Sequence, residues 1–307
     1  MFRFIMPDPS LPFPVILESL RTQFDAFLRS EPLRELFSVL GTDSGRLRQD
    51  YNGRTAASGA VRETMELSPS KALEDRRAEL YPLFSELGFI GINRPIRSGH
   101  SHILVLGGSL DACHDRSLCA ARFAGEETET IDGLACYRPV SPGERASSSF
   151  RSGCETEFGA MADSFSAVFG LAGEEVSEAF AGDRNLNRIS CVRTTRSDSR
   201  TYRVFAAPSK QPELRRADTG DSLLFYLEHT PLTPEDSLLA VTNNRYCNRQ
   251  FLQLVWQFLR AGQPVRFDII GCFPDERLTS PERYDPFQYL QDLIGILDWI
   301  ERFDQLP

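Results

Sequence analysis

From residue 101 onward, short apolar runs alternate with longer segments whose apolar residues recur at helical spacing. Short apolar runs bounded by turn residues are typical of buried strands, and a spacing of about three to four residues is typical of amphipathic helices. The pattern predicts strands over 102–106, 132–137, 189–193, 202–206, 237–242 and 265–270. It predicts helices over 112–124, 155–169, 219–229, 246–261 and 286–303. Because strands separated by helices form βαβ units, we expect a Rossmann-like, doubly wound α/β fold with a mostly parallel sheet.

Before residue 101 the pattern is helical. Apolar residues recur at helical spacing through 11–40 and again over about 70–87. Residues 46–67 are rich in arginine and poor in large apolar side chains, so the helical pattern is weak there. We therefore predict two domains, a helical N-terminal cap over 1–100 and a Rossmann-like α/β domain over 101–307.

Two polar stretches in the second half interrupt the alternation of strands and helices. Residues 141–153 contain Pro142, Gly143 and three consecutive serines, and residues 275–286 are also polar. Clusters of such residues are typical of connections. We expect both stretches to be loops.

The charge balance and the apolar content argue against two classes of protein, nucleic-acid binders and membrane-spanning proteins. The chain has 43 acidic and 34 basic residues among 307, a net charge of −9. This balance argues against a nucleic-acid partner, because a general nucleic-acid binder needs a basic face for phosphate contacts. No stretch approaches the ~20 apolar residues of a transmembrane helix, so we expect a cytoplasmic protein with no membrane partner.

The metal-ligating residue types show no ligand pattern. The seven cysteines lack CxxC and CxxH spacing, and the four histidines add none. We expect reduced thiols and no bound metal.

The basic residues are almost all arginine, since only Lys71 and Lys210 are lysines. A GC-rich genome explains this bias without any function. Alternatively, some arginines bind an anionic ligand, because a guanidinium makes planar, bidentate contacts with carboxylate or phosphate that an ammonium does not. The two explanations are compatible.

The strand predicted over 102–106 ends in a glycine turn, Gly107-Gly108-Ser109. Ligands of open α/β sheets bind where strand ends, glycine amides and helix N-termini converge, so the amides of this turn are candidates for holding an anion. The turn lacks GxGxxG spacing and a P-loop lysine, which argues against a dinucleotide site and a Walker NTPase. A plain strand-to-helix turn is the alternative.

Polar side chains at later strand exits and helix starts would complete a pocket around the glycine turn. Candidates for binding anionic groups are Arg116, Arg138, Arg216 and Arg249. Candidates for contacting hydroxyls or amines are Glu155 and Asp221, and candidates for lining the pocket are Thr219, Thr242, Asn243 and Asn244. Each also has a structural explanation, such as a solvated loop arginine or a helix cap.

The order of these motifs resembles the YdcF/SanA/ElyC-like bacterial family over roughly residues 101–272. That family typically shows a strand ending in LGGG, a downstream Arg, a Glu-opened helix, an S/T-T-x-E-N segment and a V-T-S-x-x-H-x-x-R-A segment. This chain has Ser109 for the third glycine, Asp221-Ser222 for Glu-Asn and Tyr246 for the histidine. The resemblance implies a Rossmann-like fold that binds nucleotide-type small molecules, with S-adenosylmethionine proposed for some members.

These observations predict a protein that binds a nucleotide-like or other anionic small molecule at the C-terminal ends of the strands. If the protein is an enzyme, we expect a transferase or hydrolase with Glu155 as general base and Asp221 as a second catalytic carboxylate. The alternative is a non-catalytic ligand sensor or partner-binding module, in which the N-terminal helices transmit occupancy. S-adenosylmethionine and nucleotides are the candidate cofactors, and the oligomeric state stays open.

Overall fold

Seven strands build the centre of the protein. The structure is a computed structural model that describes residues 1–53, 70–150, 152–171, 176–182, 184–197, 199–272 and 284–306. In chain order the strands are β1 (His102–Leu106), β2 (Thr130–Cys136), β3 (Val176–Ala181), β4 (Ser190–Ser197), β5 (Arg200–Ala207), β6 (Ser237–Thr242) and β7 (Arg266–Gly271). They form a sheet in the order β3-β4-β5-β2-β1-β6-β7.

Five neighbouring strands of this sheet are parallel. β5, β2, β1, β6 and β7 pair in parallel, with Ile103 of β1 opposite Ile131 of β2 and Leu239 of β6. β4 pairs antiparallel with β5, and β3 pairs antiparallel with β4. Because β2 and β5 lie on one side of β1 while β6 and β7 lie on the other, the strand order reverses between β1 and β6. A crevice at the carboxyl ends of such strands is where open α/β sheets bind ligands.

Helices cover both faces of the sheet. They are α1 (Phe13–Leu28), α2 (Glu31–Leu40), α3 (Ser44–Tyr51), α4 (Lys71–Glu74), α5 (Arg77–Glu86), α6 (Leu110–Phe123), α7 (Pro142–Ser147), α8 (Glu157–Phe169), α9 (Thr219–His229), α10 (Cys247–Arg260) and α11 (Pro286–Phe303). Ile103 and Val105 of β1 pack in a hydrophobic cluster with α6 and α8, whereas Leu104 and Leu106 pack in one with α9 and α10. This alternation buries β1 on both faces. The predicted Rossmann-like, doubly wound α/β fold with a mostly parallel sheet is confirmed.

The N-terminal helices pack on the face of the sheet that α10 and α11 cover. The rings of Phe4 and Phe251 lie 6.1 Å apart, and those of Phe24 and Phe303 lie 5.1 Å apart. Buried side chains of α1, α2 and α5 belong to the same hydrophobic cluster as α10 and α11. One continuous core therefore crosses the predicted domain boundary at residue 100.

Two elements of the structure, the strand β3 and the helix α7, were not predicted from the sequence. The strand β3 was not predicted, because its sequence VSEAFA has no apolar run and pairs only as the edge of an antiparallel hairpin. The helix α7 lies inside the stretch predicted to be a loop. Its N-cap Ser141 accepts a hydrogen bond from the Glu144 amide, and Pro142 occupies the first turn, so local capping outweighs a polar composition.

The weaker helix predictions are partly resolved. The helix expected over about 70–87 is two helices, α4 and α5. In the arginine-rich stretch, α3 begins after Asp43, which accepts a hydrogen bond from the Arg46 amide. The remainder of that stretch falls in 54–69, and most of the predicted connection over 275–286 falls in 273–283. Both lie outside the described residues.

Candidate functional site

The glycine turn that follows β1 is enclosed by neighbouring groups. A Cβ at position 107 would overlap the Glu157 carboxylate and lie 2.6 Å from the Leu134 carbonyl oxygen. A Cβ at position 108 would lie 2.9 Å from Ala112 Cβ. Both positions therefore require glycine because of close approach, and the turn packs against protein atoms.

The N-terminus of α6 binds a carboxylate of the protein itself, that of Glu144. Ser109 caps the helix by accepting a hydrogen bond from the Ala112 amide at 3.3 Å. The amide of Leu110, the first residue of α6, donates to Glu144 Oε1 at 2.9 Å. Glu144 is a buried residue of α7. The position at which a helix N-terminus would bind a ligand anion is thus occupied by the Glu144 carboxylate.

Arg138 joins this carboxylate to the glycine turn and to α8. Its guanidinium donates to Glu144 Oε2 at 3.0 Å, to Glu157 Oε2 at 2.5 Å and to the Gly108 carbonyl at 2.7 Å. Burial would lower the pKa of Arg138, but Glu157 and Glu144 outweigh it and raise the pKa. Arg138 is therefore a charged group with its donors directed at protein acceptors.

Glu157, not Glu155, is the carboxylate that faces the end of β2. Thr156 caps α8 by accepting a hydrogen bond from the Gly159 amide, which makes Glu157 the first helical residue. Glu157 is buried, whereas Glu155 is exposed. The signal for this assignment was Thr156, a good N-cap residue whose position fixes which glutamate enters the first turn.

The end of β2 brings two further groups beside Glu157. The Cys136 thiol donates to Glu157 Oε2 at 3.5 Å, and Arg216 Nη1 lies 3.9 Å from the Cys136 sulfur. Burial, reinforced by the Glu157 charge, raises the pKa of Cys136 to about 12. Cys136 is therefore a protonated hydrogen-bond donor, since a nucleophilic cysteine needs a lowered pKa.

Arg116 connects the exits of β1 and β6 at the point where the strand order reverses. It is 2% exposed and donates from Nη1 to the carbonyls of Leu106 at 2.7 Å and Gly107 at 2.5 Å. Its Nε donates to Asn243 Oδ1 at 2.9 Å, and Asn243 Nδ2 donates to the Tyr284 hydroxyl at 3.0 Å. The crevice between these strands is therefore crossed by a guanidinium.

Three more predicted residues, Thr242 at the end of β6 and Thr219 and Asp221 at the start of α9, also have protein partners. Thr242 donates to Gln250 Oε1, and Gln250 Nε2 donates to Thr219 Oγ1 at 3.2 Å. Asp221 belongs to a capping box with Asp218 and accepts from Arg215 Nη1 at 2.5 Å. Thr219 and Thr242 thus tie β6 to α9 and α10, and Asp221 caps a helix.

The structure brings most of the predicted site residues to the same edge of the sheet, the carboxyl edge, where the parallel strands end. Gly107, Gly108, Arg116, Arg138 and Asn243 are linked there by hydrogen bonds. Glu144 was missed because its partner amide lies 34 residues away in the chain. Arg245 and Asp292, beside the predicted Asn244 and Arg249, were missed for the same reason.

A cleft of about 320 Å³ opens beside the N-terminus of α6. Leu110, Arg145, Phe150, Ser152 and Gly153 line it. The segment that follows α7 is held over it by Asp111, whose Oδ1 accepts from the Ser148 hydroxyl at 2.7 Å and from the Phe150 amide at 3.0 Å. The cleft is therefore next to the Glu144 carboxylate and one cationic side chain.

The chain has no detected relative among known proteins. No family model, curated protein or solved structure matches the chain. In the part of the chain that the structure describes, no three His, Cys, Asp or Glu side chains are grouped so that they could hold a metal ion. Within the same residues, no helix is long and apolar enough to cross a membrane.

Proposed function

We propose that the protein binds a small anionic molecule at the carboxyl edge, with a ligand oxyanion replacing the Glu144 carboxylate. The observation that carries this proposal is the donor set around Glu144, which combines the Leu110 amide at the start of α6 with the Arg138 guanidinium. Helix N-termini and guanidinium forks are the groups that bind carboxylates and phosphates in proteins. A ligand carboxylate or phosphate would meet the same donors.

Exchange between Glu144 and a ligand requires movement of α7 only. This helix spans six residues, and Asp111 holds the segment behind it through hydrogen bonds to Ser148, Ser149 and Phe150. Arg145 follows Glu144 and lines the adjacent cleft. Outward movement of α7 would open the oxyanion site toward that cleft.

The ligand class follows from the charge of the donors and from the family resemblance. Amide and guanidinium donors select an oxyanion, and the YdcF-like motifs suggest a nucleotide-type molecule, with S-adenosylmethionine among the candidates. The surroundings of three carboxylates, those of the expected Asp221 and Glu155 and that of Glu157, favour binding over catalysis. Asp221 is neutralised by Arg215, Glu157 is neutralised by Arg138, and Glu155 is exposed. We therefore favour a non-catalytic ligand sensor.

Anion titration of a variant without the competing charge tests this function. Glu144→Gln keeps the shape of the side chain and removes its charge, so inorganic phosphate and a nucleoside monophosphate should bind about tenfold more tightly, a change of about 1.4 kcal/mol. Arg138→Lys keeps a cation but loses the fork, so affinity should fall. Isothermal titration calorimetry measures both.

The exposed Glu35 supplies the control for this titration, since Glu35→Gln removes the same charge far from the site. The control should bind like the wild type. Equal affinities in Glu144→Gln, Arg138→Lys and Glu35→Gln, or no anion binding by any of them, would contradict the proposal. Urea unfolding of each variant verifies that it is folded.

A transferase or hydrolase is the second candidate, favoured by the buried Glu157 carboxylate beside the glycine turn. If a bound oxyanion drew the Arg138 guanidinium away from Glu157, this carboxylate would become available as a general base. Turnover of a bound nucleotide that is lost in Glu157→Gln and retained in Glu155→Gln would support this role. Turnover lost in Glu155→Gln alone would restore the role predicted for that residue.

A further inference from the structure

Two arginines that follow β6 share one buried carboxylate. The Nε atoms of Arg245 and Arg249 each lie 3.4 Å from an oxygen of Asp292 on α11. The side chains of Arg245 and Asp292 are 3% and 2% exposed, and that of Arg249 is 19% exposed. Among the described residues, two cations therefore face one anion in a place with little water, and these three side chains carry an excess positive charge.

The same cluster contains buried polar atoms that have no partner. Both amide atoms of Asn244 and the Nη1 atom of Arg245 are buried and make no hydrogen bond with any described residue. Asn244 is 1% exposed. A buried donor or acceptor without a partner costs about 1–3 kcal/mol, so such atoms are rare unless something else satisfies them.

Aromatic rings hold the cluster in place without supplying an anion. The Arg245 guanidinium lies 4.4 Å from the centre of the Tyr246 ring and 4.2 Å from that of Tyr284. Arg249 lies 5.0 Å from the Tyr246 ring. Ring faces stabilise a cation and fix its plane. Arg245 Nη2 donates to the Tyr246 hydroxyl, and Arg245 Nη1 remains without a partner among the described residues. The cluster is therefore preorganised for an oxyanion.

The cluster belongs to the carboxyl edge. Asn244 is the second residue after β6, and Gly271 at the end of β7 packs so closely on it that a Cβ at 271 would overlap Asn244. The preceding residue, Asn243, bonds to Arg116 at the exit of β1. The two arginines thus lie on the β6 side of the switch point, and Glu144 lies on the β1 side.

We propose that Asn244, Arg245 and Arg249 form a second oxyanion subsite, and that the ligand carries two separate anionic groups. This inference rests on the proposed function: one group replaces Glu144 at the start of α6, and the other binds the arginine cluster. The ligand class is then a bisphosphate, a dicarboxylate or a phosphorylated acid. These chemistries share the oxyanion and differ in charge and geometry, and the probes below separate phosphate from carboxylate groups.

Two variants test the subsite without removing a buried guanidinium. Arg249→Gln removes the more exposed cation, and Arg260→Gln on the exposed end of the same helix is its matched control. Asn244→Asp adds an isosteric carboxylate at the residue that precedes Arg245, and it tests whether a charge on this side chain acts as an internal occupant. The probes are inorganic phosphate, a sugar bisphosphate and succinate, each titrated by calorimetry and by thermal unfolding.

We expect the bisphosphate or succinate to bind the wild type and Arg260→Gln at least about tenfold more tightly than phosphate, because two groups bind at once. Whichever of these two probes, the bisphosphate or succinate, binds more tightly identifies the chemistry of the ligand groups. The advantage over phosphate should disappear in Arg249→Gln and in Asn244→Asp, and Asn244→Asp should unfold at the wild-type temperature or above it.

The failure of this inference is distinguishable from failure of the proposed function. Suppose that Glu144→Gln tightens phosphate binding, while Arg249→Gln and Asn244→Asp keep the full preference for the bisphosphate or succinate over phosphate. The proposal of a second subsite is then wrong, and the proposed site at Glu144 stands. If no probe responds to Glu144→Gln, the proposed function fails, and the inference of a two-headed ligand fails with it.

Discussion

Two buried ion clusters at opposite edges of the sheet differ in their charge balance. At the edge where the parallel strands begin, Asp132 of β2 is fully buried and receives two hydrogen bonds from Arg203 of β5, at 2.7 and 2.8 Å, and a third from the Thr130 hydroxyl at 2.9 Å. At the carboxyl edge, Arg245 and Arg249 share the single carboxylate of Asp292. The Asp132 pair has one cation for one anion, and the Asp292 cluster has two cations for one anion.

This difference separates a structural ion pair from a binding site. A bidentate pair with a third donor is complete as it stands, and a ligand has nothing to add to it. A cluster with excess charge and unpartnered amide atoms is incomplete without an anion. The same reasoning applies to Glu144, which satisfies the donors at the start of α6 from within the chain. The carboxyl edge therefore holds one internally filled oxyanion site and one unfilled one.

The largest expected effect comes from breaking the complete pair. Asp132→Ala leaves Arg203 buried without a counter-ion, which should lower the free energy of unfolding by about 3–5 kcal/mol. Urea denaturation measures the loss. Asp298, which pairs with Arg48 on the surface, provides the control, because Asp298→Ala should cost at most about 1 kcal/mol. Equal losses at the two positions would remove the distinction between buried and exposed pairs here.

A somewhat smaller effect is expected at the incomplete cluster. Asp292→Asn removes the only carboxylate that faces Arg245 and Arg249 among the described residues, and we expect a loss of about 2–3 kcal/mol because the tyrosine rings still stabilise the cations. Added phosphate should restore part of the melting temperature. It should not do so for Asp132→Ala, and rescue of both variants alike would contradict the comparison.

The close packing of the glycine turn gives the next effect. Gly107→Ala would push a methyl group into the Glu157 carboxylate and the Leu134 carbonyl, at a cost of about 1–3 kcal/mol. In α7, a Cβ at Gly143 meets no atom within 4 Å, so Gly143→Ala should be neutral or slightly stabilising. Thermal unfolding of the two variants measures the difference in their stability. A Gly107→Ala variant as stable as the wild type would show that the turn is loosely packed.

The smallest expected effect concerns pH. Partial burial would raise the pKa of Asp111, but hydrogen bonds from the Phe150 and Ser149 amides and the Ser148 hydroxyl outweigh it and lower the pKa. A lowered pKa in the folded state adds stability above the ordinary value of 3.8, and this stability is lost as pH falls through the folded pKa. The stability advantage over Asp111→Asn should therefore shrink below about pH 4. An advantage independent of pH would contradict the role of the charge.

The fold was predictable where local patterns were strong. The strand predicted over 102–106 coincides with β1, and the one over 237–242 coincides with β6, because unbroken apolar runs ended by polar residues have few alternatives. The sequence of β3 has no such run, and its pairing with β4 decides its structure. The order of the strands, which creates the switch point, depends on contacts between distant segments.

The site was predictable only as a location. Residues at strand exits converge on the carboxyl edge because parallel strands end together, and that follows from the fold. Which carboxylate faces the crevice depended on the cap of α8, so Glu157 occupies the place expected for Glu155. The pairing of Glu144 with the Leu110 amide and of Asp292 with two arginines has no local signature. The roles of the predicted site residues in ligand binding stay predictions.

The packing of α1 against α11 has a consequence for how the chain is made. The Phe24 ring rests on Phe303, and Arg21 donates a hydrogen bond to the Leu306 carbonyl, so these contacts join segments at opposite ends of the printed sequence. A ribosome delivers α1 long before α11, and contacts of such long sequence separation form late. During translation, the surface of α1 that contacts α11 therefore stays without this partner until α11 has been synthesised.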